Sequence, residues 1–301
     1  MNNNLAGIIR AVANNDIKTA KQYAKIIVEA DTSIVNQEFC KSILNVLSAS
    51  SMNLMELPSN VKDILYMEDI AVSFNERRYY LSKREHALYA EVSAMYETSQ
   101  KLSEMGISYL NSVMLFGESG TGKTMLGKYI ALKLGLPFVY MNFAHAISSY
   151  LGKTGQNIAT AFDFIQKQKC VFMLDEIDAI GMKRGREDVG EMARIVITLM
   201  QALDCVKNDC IIVAATNRID MIDKALLRRF SISHEVKAFT LEERAAMVSQ
   251  YLNDINIEYN IENVCSYCES PKSQADTVVD IVKAIAKSIR YGCEFMLPIL
   301  H

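Results

Sequence analysis

Eight consecutive residues, Gly117-Glu118-Ser119-Gly120-Thr121-Gly122-Lys123-Thr124, carry the densest chemical signal in the 301-residue chain. They fit G-x-x-x-x-G-K-[ST] and lie between an apolar run, Val113–Phe116, and a helix-period segment, Met125–Leu134. That strand-to-helix context is what a phosphate-binding loop requires. Glycines let consecutive backbone N–H groups turn toward phosphate oxygens, and the following helix presents its positive end there. Lys123 brings a charge to the β- and γ-phosphates, Thr124 offers a hydroxyl to Mg²⁺, and Met125 follows in the first turn of the helix.

A second apolar run, Val171-Phe172-Met173-Leu174, ends directly in Asp175-Glu176. Acids at the C-terminal end of a buried parallel strand stand at the ligand-binding edge of the sheet. With a phosphate loop upstream, Asp175 is placed to hold the Mg²⁺ shell, and Glu176 to orient and polarise an attacking water. A third run, Ile211-Ile212-Val213-Ala214-Ala215-Thr216, ends in Asn217. That side chain fits either a hydrogen bond to water and γ-phosphate or a plain turn. Arg228 and Arg229 follow the apolar stretch Ala225-Leu226-Leu227. By residue type alone they suit a solvated helix end as well as a pair of arginine fingers.

The elements needed to hold these groups are legible as patterns. Strands are predicted at Val113–Phe116, Pro137–Met141, Cys170–Leu174, Cys210–Ala214 and Ile232–Ala238. Most are continuously apolar, as strands covered on both faces are. Helical segments lie between them, so the fold class is α/β with a mostly parallel sheet. Before this region, residues 83–105 read as a long charged helix. After Phe239 only helices are predicted, at Leu241–Leu252 and Thr277–Ile289. At the start of the chain, Leu5, Ile8, Ile9 and Val12 share one helical face. Ile17, Ala20, Ala24 and Ile27 share another, with Asp16 as a cap between them. A third helix is predicted after Asp31-Thr32-Ser33. The expected division is a helical N-terminal module at 1–80, an αβα domain at 81–236 and an all-α lid at 237–301.

Composition narrows the partners. Lys plus Arg number 32 against 35 Asp plus Glu, a formal net charge of −3, which argues against a charge-driven nucleic-acid binder. The first 80 residues carry eight basic and nine acidic side chains, with no basic excess there either. No apolar run approaches the roughly 18 residues that span a bilayer. Seven unevenly spaced cysteines and no export-signal pattern lead to the expectation of reduced thiols and a cytoplasmic protein. Cys265-Ser266-Tyr267-Cys268 is a lone C-x-x-C, and zinc needs a second ligand pair.

Together, and in this order, the motifs resemble those of the AAA family of P-loop ATPases over about residues 81–301. Asp175-Glu176-Ile177-Asp178-Ala179-Ile180 is similar to that family's extended acidic motif. Ala215-Thr216-Asn217-Arg218 is similar to its first sensor, and Ile222 through Phe230 to its second region of homology with the arginine fingers. Ser273-Gln274-Ala275-Asp276 resembles the lid segment that approaches the nucleotide through Ala275. Ser149-Tyr150-Leu151-Gly152-Lys153-Thr154-Gly155 resembles the first pore loop of threading members. In them an aromatic and an aliphatic side chain grip an extended peptide. The resemblance implies a five-stranded αβα domain, ATP and Mg²⁺ as ligands, and sites shared between subunits of a ring, usually a hexamer. It departs from the family at Glu118-Ser119, where two prolines are common, at Gln274, where glycine is usual, and at Ser231, where an acid commonly follows Phe230. The spacer between Arg228 and Arg229 is also missing. The function implied is an ATP-driven threading or remodelling motor acting on a protein through residues 1–80 and the pore, with or without a partner protease. A nucleic-acid-linked switch and a nucleotide-gated scaffold are the alternatives. The first would need a basic appendage, and the second would not need Glu176.

Overall fold

The computed structural model describes residues 3–13, 17–30, 57–149, 154–180, 189–206 and 209–298. The chain divides into two compact units, one of residues 1–55 with 71–73 and the other of residues 56–70 with 74–301.

In the first unit, α1 (Asn3–Ala13) and α2 (Ile17–Ala30) form a helical pair. Gly7 lets them approach, because a Cβ there would come within 2.7 Å of the Tyr23 ring. On the face that Leu5, Ile8, Ile9 and Val12 share, Leu5 and Ile9 are 46% and 52% exposed. The proposed cap at Asp16 and the third helix after residue 33 lie outside the described residues.

The second unit is built on six strands: β1 (Tyr66–Glu68), β2 (Asn111–Phe116), β3 (Phe138–Asn142), β4 (Val171–Asp175), β5 (Ile211–Thr216) and β6 (Ile232–Glu235). Their order across the sheet is β1-β3-β4-β5-β2-β6. All neighbours are parallel except β1, which pairs antiparallel with β3, Tyr66 opposite Tyr140 and Glu68 opposite Phe138. The expected five parallel strands are present, and the correction is this sixth strand at the edge. It also moves the expected boundary at residue 80. Val61, Leu65 and Ile70 are buried, and the segment that holds them belongs to the sheet-containing unit rather than to a separate module.

The longer helices of this unit among the described residues are α3 (Lys83–Glu104), α4 (Lys123–Leu134), α5 (Phe143–Ser149), α6 (Thr154–Ile165), α7 (Val189–Asp204), α8 (Leu241–Asp254), α9 (Ile261–Glu269) and α10 (Gln274–Tyr291). Alternate residues of each strand face opposite layers. Val113, Leu115, Met173, Ile211 and Val213 pack with Leu88 and Val92 of α3 and Leu126 and Ile130 of α4. On the other face, Phe172 meets Phe162 of α6 edge-on, ring centroids 5.3 Å apart. A second apolar cluster, Val248, Leu252, Val264, Tyr267, Cys268 and Ile281, holds α8, α9 and α10 together. Cys268 of the C-x-x-C is thus a core residue, while Cys265 is exposed. Arg244 is buried among these helices, and its guanidinium donates to the carbonyls of Phe239, Cys268 and Ser270.

Candidate functional site

The phosphate loop runs from the end of β2 into α4, and its conformation needs its glycines. Gly117 has φ +144°, and a Cβ on it would lie 2.3 Å from the Val236 carbonyl oxygen. Gly120 has φ +78°, and a Cβ on it would lie 2.7 Å from Ser273 Oγ. The approach that excludes a side chain at Gly120 also joins the loop to α10. The Ala275 amide donates to the Gly120 carbonyl at 3.0 Å, while Ser273 caps α10 by accepting from the Asp276 amide.

Lys123 curls back over the loop, its Nζ donating to the carbonyls of Gly117 (2.9 Å) and Glu118 (2.7 Å). Burial lowers its pKa, opposed by the negative charges of Asp175 and Asp178. Thr124 Oγ1 donates to Asp175 Oδ2 at 2.7 Å, so the loop hydroxyl and the acid at the end of β4 share one point in space. A hydroxyl and a carboxylate so placed are the hard oxygen donors that suit Mg²⁺.

Glu176 follows at φ +55°, a left-handed conformation that costs a residue with a side chain about 1–2 kcal/mol. It is held there by Asn142 at the end of β3, whose Nδ2 donates to Glu176 Oε2 at 3.0 Å. Sequence reasoning missed Asn142. The predicted strand stopped at Met141, one residue short, yet a polar residue at the C-terminal edge beside Asp175 was the available signal. Asp178 was legible only as a member of the acidic motif, without a role of its own. It is buried, accepts from Thr216 Oγ1 (2.8 Å) and the Asn217 amide (3.4 Å), and so ties the acidic motif to the end of β5 where Asn217 stands.

A cavity of about 470 Å³ collects these groups. Ser119 through Met125, Asp175, Glu176, Asn217 and Ala275 all line it. Much of the remaining wall is unforeseen from sequence: Tyr79, Tyr80, Phe239, Met247, Tyr251 and Val278 give it an aromatic and aliphatic side, with Glu85 and, more polar, Asn75, Arg78 and Gln274 also lining it. Arg228 and Arg229 are not part of this wall. Arg229 makes a two-pronged ion pair with Asp204 of α7 (2.9 and 3.0 Å) and donates to the Ala225 carbonyl. Arg228 is exposed and has no side-chain partner among the described residues. Ser231, the departure after Phe230, is fully used. Its Oγ donates to the Ser112 carbonyl, and Ser112 Oγ donates to the Arg229 carbonyl, both at 2.8 Å. The candidate pore residues Tyr150, Leu151 and Gly152 lie outside the described residues.

A mostly parallel sheet in which the interior strand β2 runs into a glycine loop, with an acid pair on a second strand end and a polar residue on a third, defines a P-loop nucleoside triphosphatase. Residues 113–238 match the family model described as "ATPase family associated with various cellular activities (AAA)". Those residues form an AAA-type ATPase domain, and ATP hydrolysis is the reaction of such a domain. It is 28% identical over 240 residues to the uncharacterized AAA family ATPase y4kL of Sinorhizobium fredii, covering 76% of this chain and 71% of that one. It is 28% identical over 288 residues to a proteasome-activating nucleotidase of Saccharolobus solfataricus, covering 82% and 73%. It is 33% identical over 183 residues to an ATP-dependent zinc metalloprotease FtsH of Lachnoclostridium phytofermentans, covering 56% of this chain but only 32% of that protein. Among the described residues no helix is long and apolar enough to cross a membrane.

Proposed function

We propose that the chain is a protein-remodelling motor that works as a ring of six copies, with ATP bound between neighbours. The observation that carries this reading is the division of charge. Loop lysine, acid and base line one cavity, while Arg228 and Arg229 stand outside it on the same chain. The names of the relatives, a proteasome-activating nucleotidase and an ATP-dependent protease, favour a protein client over nucleic acid. So does the acidic balance of the chain.

In this reading Lys123 leaves the Gly117 and Glu118 carbonyls for the β- and γ-phosphates, which the amides from Gly117 to Thr124 also hold, with Met125 beside them. Thr124 and Asp175 would hold Mg²⁺, which when bound neutralises phosphate charge. Glu176 accepts the proton of the attacking water once Asn142 releases it, and Asn217 orients that water against the γ-phosphate. Arg228 of one subunit reaches the phosphate in its neighbour and stabilises charge in the transition state, while Arg229 holds the segment through Asp204. Ala275 reports the state of the phosphate loop to the lid through its bond to Gly120. Tyr150, Leu151 and Gly152 grip the client, and the N-terminal helices receive it or a partner machine. Work is in the cytoplasm.

The test is a trap. Glu176→Gln loaded with ATP is recovered from its native host, and the retained material is identified by mass spectrometry with and without nuclease. A defined protein held only with ATP, and lost when Tyr150→Ala is added, supports the motor. Nuclease-sensitive material without a protein client sinks it.

A further inference from the structure

Ser82-Lys83-Arg84-Glu85 has the S-x-x-E form in which serine and glutamate each satisfy a backbone amide at a helix start. At the start of α8 the same device is complete: Thr240 Oγ1 accepts from the Glu243 amide, and Glu243 Oε2 accepts from the Thr240 amide. At the start of α3 only half of it forms. Ser82 Oγ accepts from the Glu85 amide, but neither carboxylate oxygen of Glu85 has a hydrogen-bond partner, and the residue is 3% exposed.

A buried carboxylate with no well-formed hydrogen bond is costly, and the nearby amides at the helix start offset only part of that cost. Burial raises its pKa and Glu243 adds to the effect, against the amides at the helix start and the charge of Arg84. What remains is its position. Glu85 forms part of the wall of the 470 Å³ cavity, with Tyr79, Tyr80, Phe239, Met247, Tyr251 and Val278. The other acids of that wall, Asp175 and Glu176, already have donors in Thr124 and Asn142. Away from the phosphate loop the cavity is therefore a mainly apolar, aromatic slot edged by Asn75, Arg78 and Gln274, with unsatisfied acceptor oxygens on Glu85 and on Gln274, of which only Glu85 carries the acidic group. Such a slot suits a flat heterocycle that carries an amino group.

We propose that Glu85 is the base-reading residue of this site, its carboxylate accepting an N–H from the exocyclic amino group of adenine. The proposal rests on the reading of the cavity as the nucleotide site. Two consequences are specific to it. The buried acceptor finds its donor only when the amino-bearing base is bound, so ATP is selected against a triphosphate that is identical but for that group. Tyr79 and Tyr80 sit beside the residue that reads the base, which makes the Tyr79–Glu85 segment, and not the lid alone, the seat of base selection.

The test is direct binding, by calorimetry and by thermal shift, of ATP and of purine riboside triphosphate, which lacks the amino group. Both are measured on the full chain without turnover. Wild type binds ATP at least about 10-fold tighter than the analogue, as a lost hydrogen bond to a charged group requires. Glu85→Ala weakens ATP alone and brings the two within about two-fold, whereas Glu85→Gln, which keeps an acceptor oxygen, retains part of the preference. Melting of each variant without nucleotide reports whether it is folded. A wild-type chain that binds both triphosphates equally overturns the proposal. So does a folded Glu85→Ala whose affinities for both fall together or do not change. A wild-type chain that binds neither overturns the nucleotide reading itself, a result distinguishable from the other two.

Discussion

Glu176 is strained before any ligand arrives. Its backbone occupies φ +55°, and its carboxylate is tied to Asn142 rather than left to meet water. Glu176→Gln keeps shape and most contacts but removes the proton acceptor. Turnover should fall by about 10²–10⁴-fold, with ATP affinity nearly unchanged in an equilibrium titration. Retained turnover would remove Glu176 from its role. Lys123→Ala should instead lose nucleotide binding itself, read in the same titration. Glu85 gives a prediction in pH. Its folded pKa lies above the unfolded carboxylate value of about 4.3. The folded state therefore favours the neutral form, and the stability cost is absent below the unfolded pKa and complete above the folded one. Glu85→Gln without nucleotide should melt higher than wild type at pH 7–8, by roughly 2–4 °C per kcal/mol relieved. The gain should vanish as pH falls toward about 4. A gain that is constant with pH would mean that the charge is not its source.

At the scale of elements, the join of β2 to the phosphate loop is the most constrained. Val236 donates to the Phe116 carbonyl at 2.8 Å, and the Val236 carbonyl lies where a Gly117 side chain would stand. Gly117→Ala must displace β6 or the loop, so we expect a loss of about 1–3 kcal/mol in chemical denaturation together with weakened ATP binding. An unchanged midpoint would show that the loop relaxes freely. Four of the parallel strands, β2 to β5, could be read from sequence because burial on both faces makes them largely apolar runs. β1 could not, because Tyr66-Met67-Glu68 is three residues long at an edge, with Tyr66 57% exposed. The phosphate loop and acid pair were legible because their chemistry is contiguous in sequence. Asn142, the role of Asp178 and the Tyr79–Glu85 wall were not, because these groups become functional only through register or through a cavity assembled from distant segments. The roles of Arg228 and Arg229 separate only once Asp204, 25 residues from Arg229, is seen to bind one of them.

At the scale of the whole molecule, the proposed sharing of the site between copies makes a complementation prediction. Arg228→Ala should spare ATP binding and cut turnover by about 10³-fold or more. Mixing it with equally inactive Lys123→Ala subunits should restore activity, since each Lys123→Ala copy still offers an arginine to an intact neighbouring cavity. Mixtures as inactive as their parts would refute sharing. Arg229→Ala should act mainly on stability, by no more than about 1 kcal/mol, because its partner Asp204 is half exposed. The stitch between Ser112 and Ser231 then takes on a wider meaning. It fastens the arginine segment to the base of the strand whose other end is the phosphate loop. In the proposed ring, a subunit so built would act as a rigid spacer. The group it would lend to one neighbour and the loop that would bind its own nucleotide stand at a set separation, so a tilt of the body at either end would be felt at the other. Succession around a ring would then need no messenger beyond the stiffness of one six-residue strand.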